Sequence, residues 1–126
     1  MCLLAFAWNR SPGHRLWLAG NRDEFHGRAA APMHWWEAPR MLAGRDLQAG
    51  GTWLGVGADG RFAVVTNFRG GAAPPRAPSR GELIPAFLGG DAGALEFLRV
   101  LAARARDYAG FSLLAWDTEA PGYYSN

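Results

Sequence analysis

Short apolar runs separated by clusters of turn formers make up the first half of the chain. Cys2 to Trp8 is continuously apolar and ends in Asn9-Arg10-Ser11-Pro12-Gly13, after which Arg15-Leu16-Trp17-Leu18-Ala19-Gly20 forms a second run. Two strand-length runs joined by such a turn predict a β-hairpin. Neither run alternates cleanly between polar and apolar residues, which predicts strands covered on both faces. The stretch from Phe25 to Met41 holds Pro32, Pro39 and the Trp35-Trp36 pair, and it reads as a long irregular loop whose aromatic surface walls a pocket. Thr52 to Val56 and Arg61 to Asn67 flank Asp59-Gly60, a strong hairpin signal.

A different periodicity follows the Gly/Pro/Ala loop between Gly70 and Pro78. Ser79-Arg80-Gly81-Glu82 has capping-box spacing ahead of Leu83, Ile84, Phe87 and Leu88, and Gly89-Gly90 predicts a left-handed C-terminal cap. Asp91 then reads as the cap of a second helix, in which Leu95, Leu98, Ala102, Ala105 and Tyr108 recur at helical spacing up to Gly110. Phe111 to Trp116 and Gly122 to Ser125 read as strands. The predicted order, strands then a helix pair then strands, indicates an α+β fold with mostly antiparallel sheet. A single domain over residues 1–126 is expected. Because the sequence stops inside an apparent strand, the expectation is that a C-terminal portion is missing.

Composition narrows the class. Hydrophobic residues make up 49%, with 6 Trp and 7 Phe, enough for a packed core and against disorder. All 13 basic residues are arginine, interspersed with 11 acids to a formal net charge of +2, so no basic stripe points to nucleic acid. The single cysteine precludes an internal disulfide and favours a cytoplasmic location. Neither a signal peptide nor a membrane-length apolar stretch is apparent.

Gly55-Val56-Gly57-Ala58-Asp59-Gly60 matches a dinucleotide-binding glycine pattern, but the strand that follows it offers a phosphate no helix N-terminus. The glycines are better explained by the hairpin. His14, His26 and His34 lack zinc-ligand spacing, so neither a metal nor a cofactor is expected.

Cys2 stands apart through its position. Removal of Met1 would leave a thiol and a free α-amine on one residue, the amine having a pKa of about 7.7–8.0 and so able to act as a base near neutral pH. Position alone favours the plainer reading, a small buried apolar side chain at a strand start. An antiparallel hairpin, however, returns Asn21-Arg22-Asp23-Glu24 to the side of Cys2. An arginine there would favour a thiolate, and an aspartate could orient the amine. Alternation places Arg22 and Glu24 on one face, Asn21 and Asp23 on the other. The cluster fits a solvated, salt-bridged strand end equally well. Asn67, ending its strand, suits an oxyanion donor or a turn residue, and Ala49-Gly50-Gly51-Thr52-Trp53 would let backbone approach a substrate or simply turn the chain.

Met1-Cys2-Leu3, Ala19 to Phe25 with its Asn21-Arg22-Asp23-Glu24 core, Leu42 to Asp46, Gly50 to Gly55 and Val65-Thr66-Asn67-Phe68-Arg69 together resemble, in order and spacing, the NRDE or transport-and-Golgi-organisation family. Ser79 to Leu83 and the final Tyr123 to Asn126 also fit, so the resemblance spans essentially the whole chain. It implies the N-terminal half of a four-layer αββα sandwich of the N-terminal-nucleophile hydrolase type. By that resemblance Cys2 would be the nucleophile, Arg22 and Asp23 the charged pair beside it, and Asn67 an oxyanion or substrate-orienting amide. Asn21, Trp35, Trp36, Trp53 and Arg69 complete the expected site as substrate-binding residues. Two functions are compatible with this set: amide or acyl hydrolysis, or non-catalytic carriage of haem or another hydrophobic ligand, in which the tryptophans would matter more than Cys2. Neither reading fixes an oligomeric state.

Overall fold

The structure, a computed structural model, describes residues 2–67 and 74–126. Strands β1 (Leu3–Ser11) and β2 (His14–Asn21) form the expected hairpin. A 6-stranded sheet holds β3 (Ala30–Trp36), β4 (Met41–Asp46), β5 (Leu54–Gly57), β6 (Phe62–Asn67), β7 (Phe111–Trp116) and β8 (Pro121–Ser125) in sequence order, with every neighbouring pair antiparallel. Helices α1 (Leu83–Leu88) and α2 (Ala94–Ala102) lie between β6 and β7 in the chain. No helix among the described residues is long and apolar enough to cross a membrane.

Strand alternation sorts the side chains into two cores. Ala63, Val65, Leu113 and Ala115 face the helices and join Ile84, Phe87, Leu98 and Leu101 in the larger cluster. Phe62, Val64, Leu114 and Trp116 point the other way and meet Leu4, Trp8, Leu16 and Leu18 of the hairpin. Trp8 meets Trp116 edge to face at 4.8 Å. The layers are therefore helices, six-stranded sheet and hairpin.

Within this chain, β6 and β7 of the six-stranded sheet are covered on both faces. The hairpin buries one face only: Leu3 and Trp17 are 71% and 53% exposed on the other. The stretch read as a loop between Phe25 and Met41 contains β3, an edge strand whose Pro32 falls at the irregular register between Ala31 and His34.

Both helix ends are built differently from the local motifs. The hydroxyl of Ser79 accepts from Gly81 N–H at 3.3 Å, but the Glu82 carboxylate accepts from Tyr108 O–H at 2.6 Å and does not complete a capping box. Gly89 is right-handed, and the α1 carbonyls of Phe87 and Leu88, with that of Gly90, accept from the Arg61 guanidinium at 2.7–3.4 Å. Asp117, not Asp91, caps α2, its carboxylate accepting from Ala94 N–H at 2.7 Å. The helical spacing of Ala105 and Tyr108 continues through a 3₁₀ turn, Ala105–Asp107, after α2 has ended.

One glycine contact fixes the region that carries the candidate site. Thr52 N–H donates to Gly81 O at 3.1 Å, and a Cβ on Gly51 would lie 2.5 Å from the Gly81 carbonyl carbon. The close backbone approach signalled by Gly50-Gly51 is thus made to the turn before α1. Gly51→Ala is expected to destabilise the fold by roughly 1–3 kcal/mol, because the obstructing atoms are backbone and cannot rotate away. Urea denaturation would measure it; an unchanged midpoint would refute the clamp.

Candidate active site

Hairpin register brings the site together. Leu3 pairs with Asn21, so the residues after β2 leave the strand beside Cys2. Two hydrogen bonds hold this junction: Leu3 N–H donates to Asn21 Oδ1 at 2.8 Å, and Asp23 N–H donates to Cys2 Sγ at 3.4 Å. The Asn21 oxygen is thereby engaged in aligning β1.

Beyond Asn21 the regular strand has ended, and all four residues Asn21, Arg22, Asp23 and Glu24 border one cleft. Arg22 and Glu24 share a side and form an ion pair at 3.5 Å. The Arg22 guanidinium also lies 4.5 Å from the Trp53 ring centroid, a cation–π stack. Trp53 leans toward β4, where only a glycine fits: a Cβ on Gly44 would meet the indole at 2.9 Å. Asn67 comes from the end of β6. Cys2, Asn21, Arg22, Asp23, Trp53 and Asn67 border a common cleft of about 110 Å³.

Two further spaces adjoin the cleft. An apolar groove of about 320 Å³ begins at Cys2 and runs between β1 and the sheet, past Leu4, Phe6, Val64, Leu114 and Tyr123. A polar pocket of about 350 Å³ shares Arg22, Glu24, Trp53 and Asn67 with the cleft and extends to Arg28, Asp46 and Arg80. Arg28 Nε and Nη2 both meet Asp46 Oδ2, at 2.8 and 2.7 Å. Burial pushes the Asp46 carboxyl upward, but hydrogen bonds from Arg28 and from the Ala49 and Gln48 amides outweigh it and hold the group below the usual carboxylate range. The hydrogen bond to Asp46 likewise raises Arg28 against the opposing effect of burial.

The remaining expected residues lie elsewhere. Trp36 is 7% exposed in the main core, its indole N–H donating to Ala43 O at 3.3 Å. Trp35 is 54% exposed, with Arg40 5.9 Å from its ring. Neither borders the cleft, groove or polar pocket, so of the three tryptophans only Trp53 reaches the surroundings of Cys2. Arg69 lies outside the described residues. Sequence reasoning missed Arg28, Asp46 and Arg80. Arg80 was legible only as part of a helix start and of the Ser79 to Leu83 motif, and Asp46 only as the last residue of the Leu42 to Asp46 motif.

Comparison with known proteins agrees with this arrangement of motifs. The Transport and Golgi organisation 2 family model matches residues 1–126. Transport and Golgi organization protein 2 homolog of Bos taurus is 36% identical over 139 aligned positions, covering 100% of this chain and 50% of the relative. The Mus musculus homolog is 35% identical, covering 93% of this chain and 45% of its own length. Transport and Golgi organization protein 2 of Drosophila melanogaster is 34% identical over 70% of this chain and 35% of its own. The chain spans about half the length of the mammalian relatives it matches. With the family model matched from end to end, the chain belongs to the Transport and Golgi organisation 2 family.

Proposed function

We propose that the chain carries the nucleophile of an amide or acyl hydrolase, activated when removal of Met1 frees the Cys2 α-amine. The gathering of Cys2, Arg22, Asp23 and Asn67 around one cleft is the observation that carries this reading. The layer order of helices, sheet and hairpin supports a part of an αββα sandwich of the N-terminal-nucleophile type.

In the proposed reaction the α-amine accepts the thiol proton as sulfur attacks the substrate carbonyl carbon. Asn67 is the proposed donor to the developing oxyanion, where a fixed donor is worth about 10²–10³ in rate. Collapse of the tetrahedral adduct breaks the C–N bond, and the α-ammonium protonates the leaving amine. Water then attacks the thioester, giving up a proton to the α-amine; the carboxylic acid departs and the thiol is restored. The sum is amide plus water giving acid plus amine.

Intact mass after treatment with p-nitrophenyl octanoate tests the reading. The expected species lacks Met1 and carries one octanoyl group on Cys2, whereas Cys2→Ala protein carries none. Retention of Met1, or equal acylation of the alanine variant, would rule out this nucleophile.

A further inference from the structure

The polar pocket beside the cleft holds three guanidinium groups, Arg22, Arg28 and Arg80, and two carboxylates, Glu24 and Asp46, among the described residues. Both carboxylates are engaged. Asp46 is taken by Arg28, and Glu24 sits 3.5 Å from Arg22 and 3.8 Å from Arg28. Arg80 makes no ion pair among the described residues; its Nη1 donates to the Gly110 carbonyl at 2.9 Å. Partial burial lowers the Arg80 pKa, Glu24 opposes that shift from a distance and Arg28 adds to it. A partly desolvated cation beside other cations gains more from a counter-ion than a solvated one does. The two spaces adjoining the cleft that holds Cys2 are opposite in character, apolar along Phe6 and Leu114 and cationic toward Arg80.

We infer that the polar pocket recognises a carboxylate on the leaving-amine side of the substrate, that Arg80 is the side chain that reads it, and that the acyl group lies in the apolar groove. This rests on the hydrolase reading above. The substrate class is then an apolar acyl group joined by an amide to a small amine bearing one carboxylate. A single negative charge matches the one cation in excess among the described residues; a dianionic phosphate would bring its second charge against Glu24 and Asp46. Arg80 acts here as a specificity residue through a charge-assisted, fork-shaped contact.

Two chromogenic amides separate this inference from its foundation: the octanoyl amide of 5-amino-2-nitrobenzoic acid, whose leaving amine carries a carboxylate, and octanoyl p-nitroanilide, whose leaving amine does not. The protein is expected to favour the carboxylated amide in kcat/KM by roughly 10–100-fold, the range of a hydrogen bond to a charged group. Arg80→Met should erase that preference by raising KM for the carboxylated amide far more than for the neutral one, and Arg80→Lys should restore part of it. Absence of preference in the unaltered protein, or an equal loss on both amides in Arg80→Met, overturns the role of Arg80.

Calorimetric titration of the Cys2→Ala protein with N-octanoylglycine reads the pocket without any reaction. Binding weakened about 10-fold or more by Arg80→Met supports the anion site even where neither amide is hydrolysed, in which case the hydrolase reading alone falls. Equal binding with and without Arg80 overturns the site. Tighter binding of the corresponding octanoyl aminomethylphosphonate than of N-octanoylglycine overturns the assignment to a carboxylate.

Discussion

Protein that retains Met1 is expected to hydrolyse the carboxylated octanoyl amide roughly 10²–10⁴-fold more slowly than protein whose chain starts at Cys2, the range contributed by a positioned general base. Retention converts the α-amine into a peptide nitrogen that cannot accept a proton, while the thiol remains. Production in a host deficient in methionine aminopeptidase would supply the retained form, and treatment of that form with the purified aminopeptidase should restore the rate. The comparison separates the amine from the sulfur, which substitution of Cys2 cannot do, since that removes the thiol itself. Equal rates before and after trimming would leave Cys2 as an ordinary thiol and assign the proton transfer to another group.

Phe87→Ala should cost about 3–5 kcal/mol of folding stability, as for other large aromatic truncations in a closed core. The side chain is 1% exposed in the main cluster, with Phe97 at 5.2 Å between ring centroids and the Arg61 guanidinium 5.4 Å from its ring. Arg61 is fixed in turn by an ion pair to Asp59 at 2.6 Å and by the carbonyls at the end of α1. With the strand, the turn and the helix end all tied to that guanidinium, the cavity has little means of collapse. Chemical denaturation of wild type, Phe87→Leu and Phe87→Ala should rank them in that order. A loss below about 1 kcal/mol for the alanine variant would show that the core refills, and the packing account would fail.

The elements were legible in the sequence where local chemistry sufficed. Asp59-Gly60 marks a hairpin because the turn needs a positive φ, and Gly60 has one of 88°. The same hairpin explains the dinucleotide-like glycine pattern: Gly55 makes room for Ile84 and Leu88, not for a phosphate. The return of Asn21 to Glu24 toward Cys2 was legible because antiparallel pairing fixes it. Partners far apart in the chain were not. Asp117 replaces Asp91 as the α2 cap from 23 residues away, and Arg61 takes over the end of α1 from 26 to 29 residues away. Trp35 and Trp36 illustrate the same limit, since adjacent strand residues face opposite ways and only the sheet's neighbours decide which way is inward. Arg80 borders the polar pocket where Thr52 meets the Gly81 carbonyl, a contact between two loops that no periodicity reports.

The hydrogen bond to Cys2 Sγ comes from the backbone of Asp23, not from its side chain. Any amino acid except proline provides that donor. The donor itself is therefore supplied by the main chain, whatever side chain stands at position 23. A variant such as Asp23→Ala is expected to remove the carboxyl while it keeps this backbone donor.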